Sequence, residues 1–101
     1  MVDWEHFRTF EAIARLGSLT AAGQSLGLSQ STVSRQLASL EQHAGAPLLL
    51  RQTPVKLTQR GSALLRAVEP MVDAALVAQA ALENAEELEG LVTVTTVGEL
   101  V

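Results

Sequence analysis

Between residues 18 and 45 the chain spells out two short helices, each with its own start and stop signal, joined by a turn of about two residues. Ser18 offers an oxygen to the unpaired amides that open a helix, and Gly27, free to adopt a left-handed backbone, closes it after Leu26. Ser29 then caps a second helix, over residues 29–43, whose apolar residues Val33, Leu37, Leu40 and Ala44 fall at i, i+4, i+7 and i+11. That is a single stripe, and it must be buried. Opposite it, at about 100° per residue, lie Ser31, Arg35, Ala38 and Gln42, with Ser34 beside them and Gln30 on the first turn. A helix that merely meets solvent would carry Glu and Lys there. This one carries small residues, hydroxyls, amides and one Arg, a face made for close approach to another surface.

The remaining elements read as a support for this pair. Asp3 caps a first helix that runs to Leu16 and stops at Gly17, with Trp4, Phe7, Phe10 and Ala14 at helical spacing on one core-facing side. His6 and His43 stand alone, without the companions that a metal or acid–base site needs, and are read as solvated. After Gly45, the runs Leu48-Leu49-Leu50-Arg51 and Val55-Lys56-Leu57 flank Gln52-Thr53-Pro54, the pattern of a hairpin. Thr58 caps a helix that the apolar pattern carries to about Leu88. In it Leu64, Val68, Met71, Ala75, Ala78, Leu82 and Ala85 alternate steps of four and three, a coiled-coil seam widened by Leu65, Val72 and Leu76. A helix ~45 Å long cannot cover its own stripe, so a second copy of the chain is the expected partner. Pro70 removes one backbone hydrogen bond and predicts a kink. Gly90 ends the helix, and residues 91–97 have the β-branched content of a strand.

Taken together, Phe7, Phe10, the run Gly17 to Ala22, Leu26, Leu28 to Ser31, Val33 to Leu37, Leu40-Glu41, Gly45, Pro47 to Leu49, Arg51, Leu57-Thr58 and Gly61 resemble the amino-terminal domain of LysR-type transcriptional regulators, over about 90 residues. The resemblance implies a mainly α fold. A winged helix-turn-helix of three helices and a β-hairpin wing would occupy residues 1–57, a long dimerising linker helix 58–89, and the start of a truncated effector domain, its first strand, 90–101. Two positions depart from the family pattern: Gly23 stands where a helix former is usual, and Pro54 at the wing tip where a basic residue is usual.

Composition narrows the function. The chain is 101 residues long, 48% apolar and without Cys, which suits a single small core and excludes a disulfide, a thiolate metal site or a cysteine nucleophile. No run of 18 apolar residues and no basic-then-apolar leader occurs, so neither a membrane span nor a signal peptide is expected, and the cytoplasm is the expected location. The net charge of −4 disguises a division. Residues 1–66 hold all seven basic side chains against four acidic ones, while residues 67–101 hold seven acidic and no basic side chains. Phosphate senses local potential, so the basic part is the DNA-binding candidate and the acidic part should point away from a duplex.

Double-stranded DNA is therefore the expected partner. Gln30, Ser31, Thr32, Ser34 and Arg35 are placed to meet base edges and nearby phosphates, Gln30 suiting adenine and Arg35 guanine or phosphate. Arg51, Thr53 and Lys56 of the wing would hold the backbone or a minor groove, and Ser18 and Thr20 would offer a helix start to a phosphate. A homodimer through Leu64, Val68, Met71, Ala75, Ala78 and Leu82 completes the expectation, with a tetramer open to the full-length protein and a small-molecule effector only where the missing carboxy-terminal domain is present. A protein-interaction module is the competing reading, but it would place a large apolar anchor on the Ser31/Arg35 face. An enzyme lacks its parts, with no paired carboxylates, nucleophile–base pair or phosphate-binding loop. No cofactor is expected.

Overall fold

The computed structural model describes residues 2–83. Three helices, α1 (Trp4–Leu16), α2 (Leu19–Leu26) and α3 (Gln30–Ala44), begin at Asp3, Ser18 and Ser29 and end at Gly17, Gly27 and Gly45, all three glycines with positive φ. A two-stranded antiparallel hairpin follows, β1 (Leu49–Leu50) against β2 (Lys56–Leu57), with Leu49 opposite Leu57 and Leu50 opposite Lys56. The last element is α4 (Gln59–Glu83), which runs through Pro70 as one helix. The chain divides into two compact units, Met1–Pro70 and Met71–Val101. The architecture is thus mainly α, a winged helix-turn-helix followed by a long helix. The expected continuation of that helix to Leu88, seam residue Ala85 and the strand over 91–97 lie outside the described residues.

The core of the first unit is built from one face of each helix. Phe10, Ala12 and Ile13 of α1 meet Ala22 of α2, Val33, Leu37 and Leu40 of α3, and Leu48 and Leu49 of the wing. Burying each of the larger of these side chains stabilises the fold by roughly 1.5–3 kcal/mol. Polar bonds then fix the wing to this core. The Val55 amide donates to the Gly17 carbonyl at 3.0 Å, and the Thr58 amide to the Leu48 carbonyl at 3.0 Å. Thr58 also starts α4, as expected, its hydroxyl accepting from the Gly61 amide at 3.1 Å and donating to the Pro47 carbonyl at 2.8 Å.

Gly23 has a packing reason. A Cβ there would sit 2.8 Å from the Leu28 carbonyl oxygen and 3.4 Å from Val33 Cγ2. The turn after α2 folds back so closely, with the Leu28 amide donating to the Gly23 carbonyl at 2.8 Å, that a side chain at 23 would push the turn off α3.

Four expectations are corrected. Trp4 is 37% exposed while Phe7 is half-buried and Phe10 fully buried: the α1 stripe leaves the core at its amino-terminal end. His6 is not solvated. Its Nδ1 lies 3.3 Å from the Asp3 amide and 2.9 Å from the Asp3 carboxylate, completing a capping box in which a His takes the place usual for Glu or Gln. Leu64, half-buried, packs with Leu65 against the core of its own chain and is only in part open to a partner, and Val68 is 1% exposed and not free to form the seam. Heptad spacing alone cannot tell a stripe that covers its own domain from one that meets another copy. The first unit accordingly extends to Pro70 and takes in the start of α4.

Candidate nucleic-acid interface

Helix α3 is held on three sides, and the fourth is left bare. Val33, Leu37 and Leu40 face the core. Toward α1, the hydroxyl of the buried Thr9 donates to Gln36 Oε1. Toward the wing, Glu41 Oε2 accepts from the Leu48 amide at 2.9 Å, and Glu41 Oε1 lies 3.6 Å from Arg51 Nη2. Arg60 adds a bond from α4 to the carbonyl of Ala44, at the negative end of α3. What remains is the face expected from the sequence: Gln30, Ser31, Arg35, Ala38 and Gln42 are all exposed.

A chain of hydroxyls organises the start of this face. Ser29 Oγ accepts from the Thr32 amide at 3.2 Å, as an N-cap does, and lies 2.9 Å from Thr32 Oγ1 and 3.1 Å from Ser31 Oγ. Thr32 Oγ1 in turn accepts from Arg35 Nη2 at 3.2 Å. The guanidinium of Arg35 is thereby directed along the outer edge of α3, and it has no ion-pair partner among the described residues. Thr32 and Ser34 are half-buried flanks rather than parts of the bare face. On the α1 side, His6, Thr32, Arg35, Gln36 and Ser39 line an open depression of about 340 Å3 beside the helix.

The other expected residues are placed apart from this face. Ser18 spends its hydroxyl on the Ala21 amide, 3.1 Å away, at the start of α2, and Thr20 is exposed on the first turn. Arg51, Thr53 and Lys56 are all exposed on the wing, but Arg51 is already paired with Glu41, whereas Lys56 has no ion-pair partner among the described residues. Ser29, Gln36 and Glu41 were missed as contributors. A capping serine signals its helix rather than its further bonds, and Glu41 gives no sign in sequence of partners seven and ten residues further on. On α4, Met71, Leu76, Val77, Ala78 and Leu82 are exposed, Leu82 at 83%.

Among the described residues no group of three His, Cys, Asp or Glu side chains is placed to hold a metal ion, and no helix is long and apolar enough to cross a membrane.

Comparison with known proteins locates this arrangement. Residues 4–62 match the family described as bacterial regulatory helix-turn-helix protein, lysR family. The chain is 39% identical over 72 residues, 70% of its length and 25% of the relative's, to the uncharacterized HTH-type transcriptional regulator YybE of Bacillus subtilis. It is 37% identical over 67 residues, 65% of its length and 21% of the relative's, to the HTH-type transcriptional regulator MetR of Escherichia coli. It spans about a quarter of the length of the curated relatives it matches. Among solved structures, full-length LysG of Corynebacterium glutamicum superposes with a TM-score of 0.72 at 31% identity, covering 82% of this chain and 29% of that one. The CbnR DBD–DNA complex superposes with a TM-score of 0.68 at 28% identity, covering 83% of this chain and 98% of that one.

Proposed function

We propose that this chain, which belongs to the lysR family of bacterial regulatory helix-turn-helix proteins, is the sequence-reading DNA-binding module of a transcriptional regulator, with α3 in the major groove. The observation that carries the reading is the bare side of α3. Its exposed positions 31, 35, 38 and 42 hold Ser, Arg, Ala and Gln, with no large apolar anchor and no acidic residue to repel phosphate. Gln30 and Arg35 read base edges, with Ser31, Thr32 and Ser34 meeting bases or phosphates around them. Lys56, Thr53 and, in part, Arg51 grip the backbone or minor groove from the wing, and Ser18 and Thr20 meet a phosphate at the start of α2. The exposed apolar residues Met71, Ala78 and Leu82 of α4 meet a second copy of the chain, which sets the spacing of two half-sites. In a full-length regulator a carboxy-terminal effector domain and further pairing of dimers would follow, in the cytoplasm.

The test is competition binding at one salt concentration. Gln30→Ala and Arg35→Ala should each lower discrimination between the preferred duplex and random DNA by ~1–3 kcal/mol while thermal unfolding stays near that of the parent. Unchanged discrimination in both variants would remove α3 from the reading role.

A further inference from the structure

Glu41 lies off the reading face, yet among the described residues its carboxylate is the one acidic group set against the wing's cations. Its side chain is only 20% exposed and is fixed through Oε2, which accepts from the Leu48 amide at 2.9 Å, while Oε1 lies 3.6 Å from Arg51 Nη2. Arg51 is the freer member of the pair, 59% exposed on the wing. A phosphate arriving at Arg51 therefore meets a guanidinium already paired with a carboxylate that the Leu48 amide holds in place. It must share Arg51 with Glu41 and bear the repulsion of that carboxylate. We propose that Glu41 is a positioning residue that restrains Arg51, so that the wing presents one unopposed cation, Lys56, rather than two, and the affinity of the domain for DNA of any sequence is held down. This rests on the reading of α3 and the wing as the DNA-contacting elements.

Glu41→Gln isolates the effect, because its amide oxygen still accepts from the Leu48 amide while the negative charge is gone. With the whole chain and random-sequence duplex DNA, Glu41→Gln should steepen the plot of log affinity against log salt by about 0.9, the weight of one added phosphate contact, and tighten binding at low salt by roughly three- to tenfold. The same substitution in an Arg51→Ala background should leave the slope unchanged. In the parent, Arg51→Ala should alter the slope by much less than 0.9, an arm that stands even if Glu41→Gln folds poorly. Hydrogen exchange at the Leu48 amide should remain slow in Glu41→Gln, showing the wing still seated. An unchanged or shallower slope in Glu41→Gln, equal steepening with and without Arg51, or loss of a full ~0.9 on Arg51→Ala in the parent would each overturn the proposal. A parent chain that fails to bind duplex DNA at all would overturn the underlying reading instead, and is separately visible.

Discussion

Gly61→Ala is the substitution whose outcome the structure determines most sharply, because two effects of opposite sign compete at one atom. Gly61 lies in the first turn of α4, and in a helix free of neighbours an added methyl would favour the helix by about 1 kcal/mol. Here an ideal Cβ would stand 2.0 Å from the Leu48 carbonyl oxygen, 3.0 Å from the Leu48 carbonyl carbon and 3.3 Å from Leu57 Cδ2. Contacts of this kind settle near about 3.3 Å, so wing and helix must separate by roughly 1 Å. The same Leu48 oxygen accepts from the Thr58 amide at 3.0 Å, a bond that such a displacement breaks beside a buried residue. An unpaired buried group costs about 1–3 kcal/mol and the overpacking about 1–3 kcal/mol more. After the helix gain is subtracted, a net loss of about 1–5 kcal/mol remains, or roughly 4–40 °C in Tm for a domain of this size. Urea and thermal unfolding of parent and variant measure it. Gly45→Ala supplies the scale, since that site has φ 70 but open space around it, and its cost should stay near 1–2 kcal/mol. A Gly61→Ala chain as stable as the parent, or more stable, would refute the reasoning.

Three further outcomes are expected. Lys56→Ala should weaken binding to specific and random duplexes alike and lower the salt slope by ~0.9 with base preference intact; an unaltered slope would remove Lys56 from the interface. Leu82→Asp should raise the dimer dissociation constant at least about tenfold, roughly 1.4 kcal/mol, in sedimentation, and a parent that is monomeric at high micromolar concentration would refute the dimer. Its hydrogen bonds with the His6 ring and with the Glu5 amide hold the Asp3 carboxyl below the ordinary carboxylate value, so its charged form favours the fold above the unfolded value and that support is lost as pH falls through the folded value. The gap in urea midpoint between the parent and Asp3→Asn, which keeps a capping oxygen, should therefore narrow in acid, and a gap that stays constant down to pH ~2 would show that the charge plays no part.

What the sequence disclosed and what it concealed divide along the range of the interactions. The helices were legible because their signals are local: Asp3, Ser18, Ser29 and Thr58 bond to amides two or three residues ahead, and Gly17, Gly27 and Gly45 stop each helix where they stand. The bare face of α3 was legible for the same reason, since the stripe Val33, Leu37 and Leu40 fixes which residues point away. Thr9 and Gln36 meet across 27 positions, and Arg60 meets Ala44 across 16, with no periodicity to announce either contact. Leu64 and Val68 show a different limit. Their spacing states that they must be covered, and only the packing of α4 states by what. Gly23, a departure from the family pattern when read as sequence, is required once the Leu28 carbonyl is seen to pass 2.8 Å from the place of its missing Cβ.

The three-sided attachment of α3 bears on how such a module changes its target. The core stripe, the Thr9–Gln36 bond and the Glu41 clamp together fix the position of the helix, and none of them uses positions 30, 31, 35, 38 or 42. Side chains at those positions are exposed, and exposed substitutions away from caps and glycines are usually within about 0.5 kcal/mol of neutral for stability. Base preference is therefore free to vary there at little cost to the fold. Thr32 is the exception on this side of the helix, because its hydroxyl lies 2.9 Å from that of the cap Ser29 and directs Arg35. A change at 32 acts at once on the start of α3 and on the aim of its one exposed cation, so altered specificity arising there should carry a stability cost that a change at 30 does not.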